Sequence, residues 1–147
     1  MNVSFLDANI FIRYLTNDDP AKADRVEKLL DLAARGKERL MTTEMVIAEV
    51  VWVLESFYKL GNSAIGPMVK AILATPGLEV INGPLVEKAV EQYMERNIDF
   101  IDGYIVAVMD RHNVTEIFSY DKKHLTRIAS IKLTASRSKT PAFCCPA

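Results

Sequence analysis

Four carboxylates, Asp7, Glu49, Asp102 and Asp121, are set apart from the rest of the 147-residue chain by their surroundings. Asp7 ends the short apolar run from Asn2 to Leu6 and precedes a segment, Asn9 to Leu15, with apolar residues at helical intervals. Asp121 likewise closes the strand-like Thr115 to Phe118 after Ser119 and Tyr120. Asp102 stands in the first turn of a helix opened by Asn97 to Asp102. Glu49 has Met45, Val46, Trp52 and Val53 as its helical neighbours, so the spacing predicts a carboxylate inside an apolar stripe, with Glu44 and Glu55 on other faces. Such a group is costly to bury unless it is paired, hydrogen-bonded or bound to a cation. Carboxylates that converge repel one another, and their natural counterion is a hard, oxygen-preferring divalent cation, Mg²⁺ or Mn²⁺. A pocket of that kind cleaves phosphodiesters.

Each acid also has a plainer reading. Asp7 can be the cap of the helix that follows it. Asp99 can cap the next acidic helix, with Asp102 three residues on in its first turn. Asp121 before Lys122-Lys123 can be a turn former, and Glu49 can be a buried partner of Arg13 or sit at the edge of its stripe. The metal reading gains its force from the four together, because one parallel sheet gathers strand ends and helix starts at a single edge.

The elements that would do this are legible in order. Asp18-Asp19-Pro20 opens a helix whose period holds until Gly36. Arg39 to Met41 is a brief strand, and Thr42-Thr43 caps a long helix to Gly61. Ser63 to Ala74 is a further helix closed by Pro76-Gly77, then Leu78 to Ile81 is a strand, and Asn82 caps the helix of Leu85, Ala89 and Tyr93. Ile131 to Leu133 is a last short strand. Strands alternating with helices predict an α/β, three-layer α/β/α domain around a central, mainly parallel sheet of four to five strands.

Half of the residues are hydrophobic and a quarter charged, an ordinary globular composition that excludes a disordered chain. The net charge of -1 hides a basic end: after Asp121 come Lys122, Lys123, Arg127, Lys132, Arg137 and Lys139 with no acid, either a phosphate-facing edge or a solvated tail. Cys144 and Cys145 are adjacent, which suits neither a disulfide framework nor a zinc site and points to a reducing cytoplasm. No apolar stretch approaches the ~18 residues of a membrane span, so no membrane association is expected.

The strings FLDANIFIRYL, VIAEVVWVLE, DFIDGYIVAVM and FSYDKKHL, in this order and at these spacings, resemble the four motifs of PIN domains, particularly VapC-like ribonuclease toxins. The resemblance covers residues 1–133 as one domain and leaves 134–147 as an unassigned tail. It implies that Asp7, Glu49, Asp102 and Asp121 fill the family's acidic positions, with Asp99, Asn9 and Ser119 as accessory groups. It implies an endoribonuclease in which Mg²⁺, or Mn²⁺, is held mainly by Asp7 and Asp102 while Glu49 and Asp121 position ion or water. An RNA substrate, a cognate antitoxin protein, a homodimer and a cytoplasmic location follow from the same resemblance. Gly103 departs from it, standing where the family often has Ala.

Two other classes compete. A PIN-fold module that only binds RNA or protein would keep the fold and lose the chemistry; intact acids at all four positions argue against it. A phosphorelay receiver would need a phospho-accepting Asp at a central strand end, where Leu78 to Ile81 instead runs into Asn82-Gly83. No Gly-rich phosphate loop, His-Glu-x-x-His or nucleophile elbow is present. His112 and His124 read as a helix-end and a loop residue, and Trp52, Tyr93 and Tyr104 as core packing.

Overall fold

The computed structural model describes residues 2–119 and the strand 132–134. The element order is β1 (Val3–Phe5), α1 (Ala8–Thr16), α2 (Pro20–Ala34), β2 (Arg39–Thr43), α3 (Glu44–Ser56), α4 (Asn62–Leu73), β3 (Leu78–Ile81), α5 (Gly83–Glu95), α6 (Phe100–Arg111), β4 (Glu116–Phe118) and β5 (Lys132–Thr134). The predicted alternation is therefore present, as an α/β fold with six helices among the described residues. The pairing is parallel throughout, but the strands divide between two sheets, β1-β2-β3 and β4-β5, where a single sheet was expected.

Local chemistry sets the boundaries. Asp19 caps α2 by accepting from the Lys22 N–H at 3.2 Å, with Pro20 in the first turn, and Asn17 closes α1 in the left-handed region at φ 52°. Gly77 turns the chain into β3 at φ +77°, where a Cβ would collide with the Ala33 carbonyl. The helix predicted to run to Gly61 stops at Ser56, where Phe57 caps it and the Leu60 N–H returns to the Leu54 carbonyl at 3.0 Å. A new helix then starts at Asn62 and tolerates Pro67 in its interior.

Ile47, Val50 and Leu54 of α3 are fully buried, together with Ile65, Val69, Val86 and Val90 of α4 and α5. Helix α3 packs against α1, α4, α5, α6 and β2. The most extensive helix–helix contact among the described residues is between α5 and α6. Gly103 makes it possible: a Cβ there would lie 2.7 Å from the Ala89 carbonyl oxygen, so the departure from Ala at this position is a packing requirement of this chain.

Candidate active site

Parallel register fixes which residues share an edge. Phe5 pairs with Met41 and Thr43 with Ile81, so β1, β2 and β3 end on the same side, at Asp7, Glu44 and Asn82. Beyond the ladder, the Leu6 N–H donates to the Met41 carbonyl at 2.8 Å, and the hydroxyl of the fully buried Thr42 donates to the Leu6 carbonyl at 2.9 Å. Two bonds thus tie the residue before Asp7 to β2.

Asp7 is the N-cap of α1, its Oδ1 accepting from the Ala8 N–H at 2.8 Å, and it is exposed. The cap role and a site role coexist in one side chain. Asn9 is exposed in the same first turn. Asp99 occupies the N-cap position of α6 without a side-chain capping bond, and Asp102 is half-buried in the first turn. The positions expected of these two acids are kept, but Asp99 makes no side-chain capping bond. Ser119 follows β4; Asp121, His124 and the basic end from Lys122 lie outside the described residues, apart from the backbone of β5.

Glu49 corrects the helical-wheel reading. It is exposed, and so are its supposed core neighbours Met45 and Trp52, at 75% and 66%. Helix α3 is apolar on its outer face as well as its inner one, so an apolar neighbourhood does not mean burial. Arg13, the alternative partner, instead holds Asp18 with bonds of 2.9 and 3.0 Å. Trp52 is likewise surface, not core, whereas Tyr93 is 5% exposed and Tyr104 packs partly buried against the core.

The acids that make contacts on α3 are the two that spacing set aside. Glu44 Oε1 accepts from Asn82 Nδ2 at 2.9 Å, and the carboxylate is also hydrogen-bonded to Tyr104. Burial first, then the negative charge and hydrogen bond of Glu44, raise the Tyr104 phenol above its ordinary value. Asn82 occupies the N-cap position of α5 but, left-handed at φ 56°, makes no side-chain capping bond; its amide instead links the end of β3 to the start of α3. Glu55 Oε1 accepts from the Tyr93 hydroxyl at 2.5 Å. Glu44 could have been found by the rule that found Asp7, since it follows a strand end. Glu55 carries no such signal.

Glu55, Asp99 and Asp102 meet in a groove of about 260 Å³ between α3 and α6, walled by Ala48, Val51 and Trp52 on one side and Phe100 and Ile101 on the other. An all-oxygen donor set suits a hard divalent cation. Among the described residues, however, no three His, Cys, Asp or Glu side chains are grouped so as to hold an ion. Of the predicted residues, Asp102 and the accessory Asp99 join the groove; Asp7 sits at the start of α1 and Glu49 on the outer face of α3.

With the strand-end acids in place, the comparison with known proteins is decisive at the level of family: the PIN domain family model matches residues 4–131. The chain belongs to the PIN-domain family. A VapC ribonuclease of Aquifex aeolicus (strain VF5) is 24% identical over 121 residues, covering 82% of this chain and 89% of that protein. Among solved structures, the PIN-domain chain is similar to VapC20 of Mycobacterium tuberculosis, described as a toxin that cleaves the sarcin-ricin loop. That similarity is 20% identity with a TM-score of 0.38, covering 84% of this chain and 92% of that one. Among the described residues of this PIN domain no helix is long and apolar enough to cross a membrane.

Proposed function

We propose that this PIN-domain protein is a metal-dependent endoribonuclease, the toxin of a toxin-antitoxin pair. The observation that carries the reading is the position of Asp7 at the N-cap of α1 and of Asp102 in the first turn of α6, inside the segment matched by the PIN model. The VapC ribonuclease similarity across most of both chains supports the same reaction.

Asp7 and Asp102 would hold Mg²⁺ or Mn²⁺, which when bound supplies charge neutralisation at the phosphodiester and a water acidified for attack. The Ala8 N–H fixes the Asp7 carboxylate through Oδ1, and half-burial in the first turn of α6 restricts Asp102. Glu49 and Asp121 would position ion or water, and Asn9, Asp99 and Ser119 are the accessory groups that the family resemblance implies. Water adds at phosphorus and the 3'-oxygen leaves, giving 5'-phosphate and 3'-hydroxyl ends. Unpaired RNA is the substrate that best exposes its backbone to a shallow acidic surface. A small antitoxin would inhibit by inserting Arg or Lys among the carboxylates; the protein acts in the cytoplasm as a homodimer.

Purified protein with mixed RNA, in Mg²⁺, Mn²⁺ and chelator, tests this. Cleavage that needs either ion and stops in chelator is expected, with 5'-phosphate ends on the products. Activity specific to Zn²⁺ would overturn the oxygen-donor assignment, and RNA binding without cleavage under all conditions would leave a binding module.

A further inference from the structure

The groove between α3 and α6 has a wall that the cleavage chemistry does not use. Trp52 is 66% exposed and lines it directly beside Glu55, Asp99 and Asp102. The core has no need of this indole, since Ile47, Val50, Val51 and Leu54 fill the inner face of α3. The space, about 260 Å³, is below the ~300 Å³ at which drug-sized pockets begin, and fits one flat ring system. Its surface pairs aromatic and aliphatic walls with carboxylate acceptors. Carboxylates repel a bare phosphate but accept hydrogen bonds from amino and imino groups. One carboxylate, Glu55, is held by a tyrosine hydroxyl that is itself rooted in the core.

We propose that this groove is a nucleobase subsite in which Trp52 stacks on one unpaired RNA base and Glu55, positioned by Tyr93, accepts from its Watson–Crick edge, selecting guanine. The inference rests on the ribonuclease reading, which supplies the RNA. Guanine alone among the common bases offers N1–H and N2–H₂ as adjacent donors with which a carboxylate can pair; uracil offers one imino donor flanked by two carbonyls. With Asp102 in the same groove, the stacked base lies next to the proposed cleavage chemistry, so the preference falls on a nucleotide near the scissile bond. The competing occupant is a second copy of the chain, because Met45 and Phe57 of α3 are also exposed, each at 75%. A copy seated over the groove would have to desolvate the Glu55 carboxylate, which disfavours it.

Trp52 is the chain's sole tryptophan, so its emission reports this groove alone. The full chain is titrated, in chelator to prevent cleavage, with short uridine oligonucleotides with and without one guanosine. Saturable quenching at least about tenfold tighter for the guanosine strand is expected, and Trp52→Ala, followed by anisotropy of labelled RNA, should weaken binding by about tenfold or more, the scale of one base–aromatic stack. Trp52→Phe should restore most of that affinity. Glu55→Gln and Tyr93→Phe should each erase the guanine preference while leaving uridine binding unchanged, a split that a merely structural role would not produce; Glu55→Gln serves if Tyr93→Phe unfolds. Equal quenching by both strands, or none, overturns the subsite. So does sedimentation in which Trp52→Ala dissolves a dimer while RNA affinity stays the same. Cleavage without base-dependent quenching sinks the subsite and leaves the nuclease, whereas guanine-selective quenching in a protein that never cleaves does the opposite.

Discussion

The Thr42 hydroxyl and the Leu6 carbonyl meet at 2.9 Å, in a contact where Thr42 is wholly buried. This bond holds the end of β1 onto β2 one residue before Asp7. Thr42→Val keeps the shape and strands a buried carbonyl, at a cost of about 1–3 kcal/mol. Denaturant unfolding should show a lower midpoint at unchanged slope. RNA cleavage should fall as well, since the start of α1 loses its anchor; a variant as stable as wild type would show that the bond holds nothing.

Asp7 has two roles that substitution can separate. Asp7→Asn keeps an acceptor for the Ala8 N–H and should change stability by only a few tenths of a kcal/mol, while Asp7→Ala removes the cap at a cost of about 1 kcal/mol. Both should lose cleavage by at least ~10²-fold, as should Asp102→Asn. An Asp7→Asn variant that melts like wild type and still cleaves would reduce Asp7 to a cap.

Gly103→Ala tests the close approach of α5 and α6. A methyl group 2.7 Å from the Ala89 oxygen must push the helices apart, and overpacking of this kind costs about 1–3 kcal/mol. At this chain length each kcal/mol moves the melting temperature by roughly 2–4 °C. An unchanged or raised melting temperature would mean that the helices separate freely.

The Tyr93 phenol sets an alkaline limit. Burial, followed by the hydrogen bond and the negative charge of Glu55, raises its pKa well above the ordinary value. Folding therefore favours the protonated phenol. This contribution is complete below the unfolded-chain value of ~10 and is lost as pH rises through the raised folded value. Wild type should lose stability relative to Tyr93→Phe on going above pH ~10, and the part of the phenolate absorbance that Tyr93→Phe lacks should appear only with unfolding. Matching pH profiles for the two proteins would remove Tyr93 as the cause.

The order of elements was readable because punctuation and period agreed: Asp19 with Pro20, and Gly77, mark ends the structure keeps. The acids were less readable. A helical wheel reports the chemistry of Glu49's neighbours and not whether those neighbours are themselves buried, and on α3 Met45 and Trp52 are exposed. The partners of Glu44 and Glu55 are Asn82, Tyr104 and Tyr93, distant in sequence, and only the packing of α5 and α6 onto α3 brings them near. Asn82 was misread as a side-chain cap because residue type does not reveal a left-handed backbone. Asp99 likewise holds the N-cap position that its spacing from Asp102 indicates, without the side-chain capping bond.

Because α3 touches α1, α4, α5, α6 and β2, with Ile47, Val50 and Leu54 sealed from solvent, its amides should be among the last to exchange with deuterium. The outward residues Trp52 and Glu49 thus ride on the stiffest backbone of the molecule. Width changes at the groove must then come from its opposite bank, the start of α6, which carries Asp99 and Asp102. On the proposed reading, adaptation to different RNA shapes is left to one helix end, while the Trp52 wall stays fixed.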